Sequence, residues 1–354
     1  MELLYKPDFD RAARYWDAYW QKTIIDRPIV CVRAPKKGGE PAPAPIYMDG
    51  ILGNWDEAIA RFEHYARNTY WGGDIIPFVD PSWGPDQFAL FFGGDFTVGD
   101  GTKTSWIHPY VENWDDVSFD LLEGPDSFFT KTIQFYERFQ KHADGKYLLG
   151  MLDLHSNLGC LSAMRGPQPL CFDLYDYPDE VEAALKRVRS KYAPIYERVF
   201  KAGKMDKYGS VGWIPFYARD RYAAIQCDFI ALISNDVFRK LALPSIREEA
   251  EYLDHCIFHL DGPDALRHVD DILDIDAIDA IQWVPGDGRP KSYKWMELLQ
   301  KMQKAGKGLH IQDWTFDDIK QYYKELRPEG LVFDLKVDTQ DEADEIIEWF
   351  TKNT

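Results

Sequence analysis

Short apolar runs alternate with longer amphipathic stretches along this chain, and the two patterns predict different elements. Each apolar run is a few residues long and ends in polar or turn residues, as is typical of strands buried on both faces. Eight runs are predicted to be strands: residues 29–33, 74–79, 147–152, 210–217, 256–260, 277–284, 308–312 and 331–335.

Segments with a helical period follow most of these strands, the clearest at 178–201, 235–253, 293–305, 316–326 and 340–352. Strands that alternate with helices favour an α/β fold, here a single (β/α)8 barrel of the TIM type, over an open doubly wound sheet. The first strand is not followed by GxGxxG, which argues against a dinucleotide-binding fold. We therefore expect one barrel domain over residues 1–354, with residues 1–70 as a helical and strand lead-in.

The segment 91–111, FFGGDFTVGDGTKTSWIHPYV, interrupts the alternation. Its turn glycines and alternating residues predict a β-hairpin inserted over the C-terminal face of the barrel. Insertions after barrel strands usually build or cover the active site. A second break, KKGGEPAPAP at 36–45, predicts a surface loop.

The composition and net charge of the chain limit which partners it is expected to bind. The net charge of −18 and the lack of a basic stripe argue against nucleic acid and against an anionic membrane surface. A few local arginines could still bind a small anion.

The five cysteines are unevenly spaced, without a CxxC pair, and indicate reduced thiols. With no signal-peptide pattern at the start and no run long enough to span a membrane, we expect a cytoplasmic protein.

The strongest candidate site is the end of the fifth predicted strand, HCIFHLDG at 255–262. His259 and Asp261 are two residues apart, so they point to the same side of the strand, where barrel enzymes place their chemistry. An imidazole and a carboxylate so placed bind a metal together or act as an acid–base pair. The alternative is structural, with His259 bonded to a neighbour and Asp261 capping the helix that begins near Pro263.

Other strand ends carry similar groups. Asp153 and His155 form a second acid–imidazole pair, predicted to be catalytic with His259 and Asp261. Further polar and aromatic residues are predicted to bind substrate: Asp80, Trp83, Trp106, Trp213, Tyr217, Asp228, Gln282, Trp283 and Gln312. Together they predict a polar pocket with aromatic walls.

The order of these segments resembles the uroporphyrinogen decarboxylase superfamily, which includes porphyrinogen decarboxylases and zinc methyltransferases that work with corrinoid proteins. The matching pieces are LLGMLDLHSNLGCLSAMRGPQPLCFDLYDYPDEV at 148–181, CDFIALISNDVFRKLALP at 227–244, HLDGPDALRHVDDI at 259–272 and DAIDAIQWVPGDG at 276–288. The resemblance covers the chain from about residue 70 onward and implies the barrel fold. It also suggests a homodimer, as does the aromatic share of 15%.

The chain departs from both branches of that superfamily. Where the methyltransferases carry zinc-ligating His-x-Cys-Gly, this chain has His259-Leu260-Asp261-Gly262, and no cysteine follows Cys256. The resemblance then implies a divalent metal, such as zinc, on His259, Asp261 and Asp334. The decarboxylases carry an arginine-rich motif near the N-terminus, whereas residues 27–33 read RPIVCVR, so a porphyrinogen is not the expected substrate.

Three functions remain open from the sequence. The first is a methyltransferase that moves a methyl group from a small methylated compound toward a separate corrinoid protein. The second is a stand-alone lyase or hydrolase acting on a small polar or sugar-like molecule, with two carboxyl groups as acid and base. The third is a barrel that binds a small molecule without converting it.

Overall fold

A computed structural model describes residues 3–45, 53–98 and 105–354. The strands are β1 Ile29–Pro35, β2 Thr69–Gly73, β3 Phe78–Val79, β4 Phe96–Val98, β5 Ser105–Ile107, β6 Leu148–Leu149, β7 Ser210–Val211, β8 Tyr217–Ala218, β9 Tyr222–Gln226, β10 His255–Asp261, β11 Ala280–Val284, β12 Gly308–Ile311 and β13 Leu331–Lys336. The longer helices are Phe9–Trp20, Trp55–Asn68, Phe128–Ala143, Leu158–Arg165, Pro167–Asp176, Pro178–Arg189, Tyr192–Ala202, Leu243–Tyr252, Met296–Lys304, Phe316–Tyr322 and Gln340–Asn353.

The fold is mixed α/β, with a central seven-stranded sheet in the order β2-β1-β13-β12-β11-β10-β9. All neighbours in this sheet are parallel except β1 and β2. The strands are nearly continuous apolar runs because side chains on both of their faces are buried. A separate parallel pair, β3 with β6, continues through a parallel bridge between Met151 and Gly212.

The fourth predicted strand was wrong in its bounds. Residues 210–217 do not form one strand: β7 and β8 pair antiparallel with each other, and Pro215 lies between them. The parallel neighbour of β10 is β9, which the sequence analysis missed. Pro215 has no backbone N–H to donate to a neighbouring strand, so the apolar run breaks there. The buried segment Tyr222–Gln226 pairs with β10 instead.

The helix Phe9–Trp20 covers the amino ends of strands β9 and β10. The Trp20 indole donates a hydrogen bond to the Tyr217 carbonyl and stacks on His255, the first residue of β10, at 4.3 Å between ring centroids. The Trp20 ring also packs against the rings of Phe216 and Tyr222. Packed rings fill this end of the strands, whereas His259 and Asp261 near the carboxyl end of β10 are partly exposed.

The segment 91–111 contains β4 and β5, which pair antiparallel. The Ser105 hydroxyl donates to the backbone carbonyl of Trp83 at 2.7 Å, which joins the pair to the loop after β3. The pair therefore lies against the carboxyl end of a sheet strand. Among the described residues, no helix is long and apolar enough to cross a membrane.

Candidate functional site

A row of polar side chains crosses one face of the central sheet near the carboxyl ends of β10, β11, β12, β13 and β1. His259 Nδ1 lies 2.5 Å from Gln282 Oε1, and Gln282 Nε2 lies 2.8 Å from His310 Nδ1. His310 Nε2 is 3.8 Å from Asp334 Oδ2, and Asp334 pairs with Arg33. Each strand contributes one member. His259 and Gln282 are register partners, and Asp334 lies two residues after Val332, the register partner of His310, so these side chains point to the same side of the parallel sheet.

The Asp334 carboxylate faces His310 across 3.8 Å and favours one arrangement of protons along this row. A carboxylate facing His310 Nε2 favours the proton on that nitrogen, which leaves His310 Nδ1 as an acceptor for the Gln282 amide N–H. The Gln282 carbonyl oxygen then accepts the Nδ1–H of His259. The Nε2 atom of His259 is therefore left with a free lone pair, suited to a metal or a proton.

Asp334 stays ionised within this row. Burial opposes its charge, but the Arg33 guanidinium, together with His310, outweighs that effect and holds the pKa of Asp334 below its ordinary value. The Arg33–Asp334 pair joins two residues that are distant in sequence and lie on neighbouring strands.

Asp228, His259 and Asp261 bring together three side-chain ligand atoms that all lie within 4.8 Å of one another. Asp261 is the last residue of β10, and Asp228 begins the turn that follows β9. Burial raises the pKa of Asp261; the His259 ring opposes the rise and Asp228 adds to it. Asp334, expected to be the third metal ligand, is not part of this group, because Arg33 holds it three strands away from His259.

The donor set fits a divalent cation with a preference for oxygen. One imidazole nitrogen and two carboxylate oxygens make a hard site, and no thiolate belongs to the group among the described residues. Gln282 supplies the kind of outer hydrogen bond that orients a metal-bound histidine. Both carboxylates are at least partly exposed, which leaves room for a substrate atom beside a cation.

A second cluster lies beside the first. Asp153 Oδ2 accepts a hydrogen bond of 2.6 Å from Gln226 Nε2, and its Oδ1 is 3.8 Å from His155 Nδ1. Burial raises the pKa of Asp153 to about 6, against the opposing charges of His155 and His259. Burial also disfavours charge on His155, but Asp153, together with Asp86, the Pro85 carbonyl and Glu249, outweighs that effect and raises the pKa of the ring.

Asp80, which is half-buried, adds a second carboxyl group to this cluster. Burial, followed by the charge of Asp153, raises the pKa of Asp80 to about 8, so it is largely protonated at neutral pH. Asp80 Oδ1, Asp153 Oδ1 and His155 Nδ1 are buried without a hydrogen-bond partner in the described chain. Unpaired buried polar atoms are rare and indicate a place for a ligand or water.

Trp213 lies between the two clusters. Its ring is 5.2 Å from the His259 ring in an edge-to-face arrangement, and its indole nitrogen is buried without a partner. Among the predicted indoles, it is the one that contacts His259. It therefore forms a wall that also offers a hydrogen-bond donor.

Three predicted wall residues lie elsewhere. The Trp83 indole donates to Thr132 at 2.6 Å and is buried in the core. Trp283 follows Gln282, so it points to the opposite face of β11, where it packs on Trp295. The Tyr217 hydroxyl donates to a backbone carbonyl at the filled amino end of the sheet.

The last two predicted residues are at the edges of the site. Trp106 is half-exposed on β5. Gln312 lines a cavity of about 450 Å³ beside Arg33 and Asp334, away from His259. The structure thus brings Asp153, His155, Asp80, Trp213 and Gln282 near His259, Asp261 and Asp228, and leaves Trp106 and Gln312 outside.

Several site residues were missed by the sequence analysis. His310 and Arg33 lie within the apolar strands β12 and β1, and Gln226 ends the apolar strand β9. A polar residue within or at the end of an apolar run was the available signal. Glu249 is buried on the helix Leu243–Tyr252 and accepts hydrogen bonds from Ser156 N and Oγ, at 2.5 and 2.7 Å. Burial raises the pKa of Glu249 to about 7. It holds the loop that carries His155.

No known protein family matches the sequence, and no curated protein is similar to it. Among solved structures, a methyltransferase from Methanosarcina mazei has a similar fold, with a TM-score of 0.61 and 12% sequence identity. The likeness covers 96% of this chain and 98% of the methyltransferase. At this identity it shows the fold alone.

Proposed function

We propose that this protein is a methyltransferase of the uroporphyrinogen decarboxylase superfamily, built on a closed barrel, that moves a methyl group from a small methylated compound toward a corrinoid protein. The observation that carries the proposal is the group Asp228, His259 and Asp261 at the carboxyl ends of β9 and β10. The sequence resemblance and the fold shared with a methyltransferase support the same reading.

In this proposal Asp228, His259 and Asp261 hold a divalent cation. When bound, the cation acts as a Lewis acid that draws electron density from the heteroatom carrying the methyl group. The Gln282 carbonyl keeps the proton of His259 on Nδ1, so Nε2 stays available. A hard donor set favours an oxygen or nitrogen leaving atom over sulfur.

Asp80 is the proton donor of the reaction. The bond between the methyl carbon and the heteroatom breaks as the methyl acceptor supplies an electron pair to carbon. The bonding pair stays on the heteroatom, and the Asp80 proton moves to it. A carboxyl group with a pKa of about 8 is protonated at neutral pH and can donate.

Asp153 and Trp213 position the substrate. Asp153 is mostly ionised at neutral pH and has one oxygen unpaired, so it accepts a hydrogen bond from a hydroxyl or ammonium group. The Trp213 indole offers an N–H and an aromatic face, which also suits a cationic methyl donor.

The experiment measures methyl transfer to free cob(I)alamin from methyl ethers, methylamines and methyl thioethers, with purified protein loaded with zinc or manganese. We expect turnover with an ether or amine, loss of bound metal and activity in His259→Ala, and retention of both in the control His142→Ala, an exposed histidine. Metal binding unchanged in His259→Ala would exclude the proposed ligand set.

A stand-alone lyase or hydrolase remains the second candidate, because Asp80 and Asp153 differ in protonation at neutral pH. A protonated and an ionised carboxyl group side by side can serve as acid and base on a small polar ring. Product formed from a sugar-like substrate without any methyl acceptor would select this function over methyl transfer.

A further inference from the structure

Asp86 is a carboxyl group of the site that the proposed function leaves without a role. It lies in the loop after β3 and precedes the short helix Gln87–Leu90, which its side chain does not cap. The neighbouring Pro85 carbonyl oxygen lies 2.5 Å from His155 Nε2, which places Asp86 beside the pair of Asp153 and His155. Asp86 is partly exposed, and its side chain forms no hydrogen bond within the described ranges.

The charge of Asp86 acts on both clusters of the site. Burial lowers the pKa of His155, but the charge of Asp153, followed by that of Asp86, raises it. Burial raises the pKa of Asp86 itself; the His155 ring opposes that rise and Asp228 adds to it. Asp86 is therefore close enough to His155 in one cluster and to Asp228 in the other to interact electrostatically with both.

Carboxyl groups outnumber the basic side chains around the site. The five acidic residues are Asp80, Asp86, Asp153, Asp228 and Asp261. In the part of the chain that the structure describes, none of them pairs with a lysine or an arginine, and their one ion pair joins Asp153 to His155 at 3.8 Å. Asp228 is exposed and Asp261 is partly exposed, so a ligand from solvent reaches these charges.

Negative charge remains when the neutralising groups are counted. The divalent cation of the proposed function balances the two carboxylates that bind it. Asp80 is largely protonated at neutral pH, because burial raises its pKa to about 8. A protonated His155 balances Asp153, its ion-pair partner. The charge of Asp86 is then left without a counter-charge.

A second metal ion does not account for Asp86 and Asp153. Among the described residues, one group of three ligand atoms lies close enough together to hold a metal, and neither Asp86 nor Asp153 belongs to it. An organic cation spreads its charge over several atoms, so it does not need ligand atoms that converge on one point. The two carboxylates therefore suit an organic cation.

Trp213 supplies the aromatic face that such a cation prefers. Its ring is 5.2 Å from the His259 ring, and its indole is among the groups that oppose the rise in the pKa of Asp153 caused by burial. Asp153 is 8% exposed, and its Oδ1 atom has no hydrogen-bond partner in the described chain. An aromatic face and an unsatisfied carboxylate thus lie together beside the metal ligands.

We propose that the substrate of this site carries a positively charged ammonium group, which Asp86 and Asp153 attract and the Trp213 ring faces. The inference rests on the proposed function, since it places the methyl-bearing heteroatom of the same molecule at the metal ligands. The ammonium group is separate from that heteroatom and takes no part in the bond that breaks. Uncharged and anionic methyl compounds bind less well, because they leave the charge of Asp86 uncompensated.

The test compares choline with 3,3-dimethyl-1-butanol, which has the same shape without the charge. Each is titrated into the full-length, zinc-loaded protein, and binding is followed by NMR. Choline should bind about tenfold more tightly. Its nitrogen has no lone pair to bind zinc, so the preference reports the charge alone. Equal affinities for the two compounds would overturn the proposal.

Variants locate the ammonium group. Asp86→Asn should weaken choline binding about tenfold and leave 3,3-dimethyl-1-butanol unchanged, which also shows that the site is intact. Trp213→Phe keeps an aromatic face and should lose less choline affinity than Trp213→Leu. The control Asp206→Asn changes an exposed aspartate on the short helix Met205–Tyr208 and should bind both compounds like the original protein. Full choline affinity in Asp86→Asn would overturn the assignment.

Metal counting tests the competing use of Asp86. We expect one zinc ion per chain in both the original protein and Asp86→Asn. A second zinc ion that is lost in Asp86→Asn would make this residue a metal ligand and overturn the proposal.

The ammonium site and the methyltransferase function fail in different experiments. The preference for choline needs no methyl acceptor, so a preference without any methyl transfer would contradict the methyltransferase function and support the ammonium site. Turnover of an uncharged methyl ether, together with equal binding of choline and 3,3-dimethyl-1-butanol, would contradict the ammonium site alone.

Discussion

The Nδ1 atom of His259 lies 2.5 Å from the Oε1 atom of Gln282, and the two residues are register partners on adjacent parallel strands. This bond is the first of a row that continues through His310 to Asp334 and Arg33. The charge of Asp334, which faces His310 Nε2 across 3.8 Å, thereby favours the tautomer of His259 that carries its proton on Nδ1.

Replacing Gln282 should weaken metal binding without removing a ligand. In Gln282→Met the acceptor for His259 Nδ1–H is lost, so the ring is free to change tautomer. We expect the affinity for zinc or manganese to fall about 10- to 100-fold, the usual effect of losing an outer-shell partner. Calorimetric titration of the metal-free protein measures it. Gln312→Met, on the cavity away from His259, is the matched control, and an equal loss in both would contradict the role of Gln282.

Asp80 should make the folded state less stable as the pH rises. Its pKa is raised from 3.8 to about 8, so the folded state binds more protons than the unfolded state between these values. The resulting stabilisation is complete below pH 3.8 and is lost as the pH rises through about 8. Across this pH range the free energy of unfolding should change less in Asp80→Asn than in the original protein. The difference should be at least about 1 kcal/mol, roughly the equivalent of one pKa unit. Urea unfolding at a series of pH values tests this, and parallel curves for both proteins would refute it.

The same protonation predicts the pH dependence of activity. A step that uses the Asp80 proton should slow above about pH 8. Protonation of Asp153 should weaken substrate binding below about pH 6. The profile of kcat/KM is therefore expected to be bell-shaped, and Asp80→Asn should remove its alkaline limb. An alkaline limb that persists in the variant would assign the proton to another group.

Glu249 should stabilise the loop that carries His155. Glu249→Ala leaves the buried Ser156 N–H and hydroxyl without their acceptor, so the free energy of unfolding should fall by about 3 kcal/mol. Glu249→Gln keeps an acceptor oxygen and should lose less. Glu251→Ala, an exposed position on the same helix, is the control, and chemical denaturation compares the three.

Loss of the Trp213 side chain should affect mainly turnover, whereas loss of the Trp283 side chain should affect mainly stability. Trp213→Ala removes the wall beside His259 and should lower turnover while largely preserving stability. Trp283→Ala opens a cavity against Trp295 and should cost about 3–5 kcal/mol of unfolding free energy. The opposite result would mean that Trp283 faces the substrate.

The sequence by itself determined much of the local structure. Apolar runs and helical periods located most strands and helices, including β10 and the helix Gln340–Asn353. The two-residue period of a strand also placed His259 and Asp261 on one side of β10, and the structure brings them together. These features depend only on residues close together in the sequence, and the backbone geometry of a strand or helix fixes how such residues are arranged.

Only the tertiary structure decided which face of each strand looks toward the site. The alternation of side chains along a strand predicts that Gln282 and Trp283 point in opposite directions. Only the packing of the sheet and its helices shows that Gln282 faces the site while Trp283 packs on Trp295. The third member of the cation group comes from the turn after β9, and the partner of Arg33 comes from the neighbouring strand β13. Such contacts follow from strand order and register, which arise when the whole core packs, and no short segment of sequence contains them.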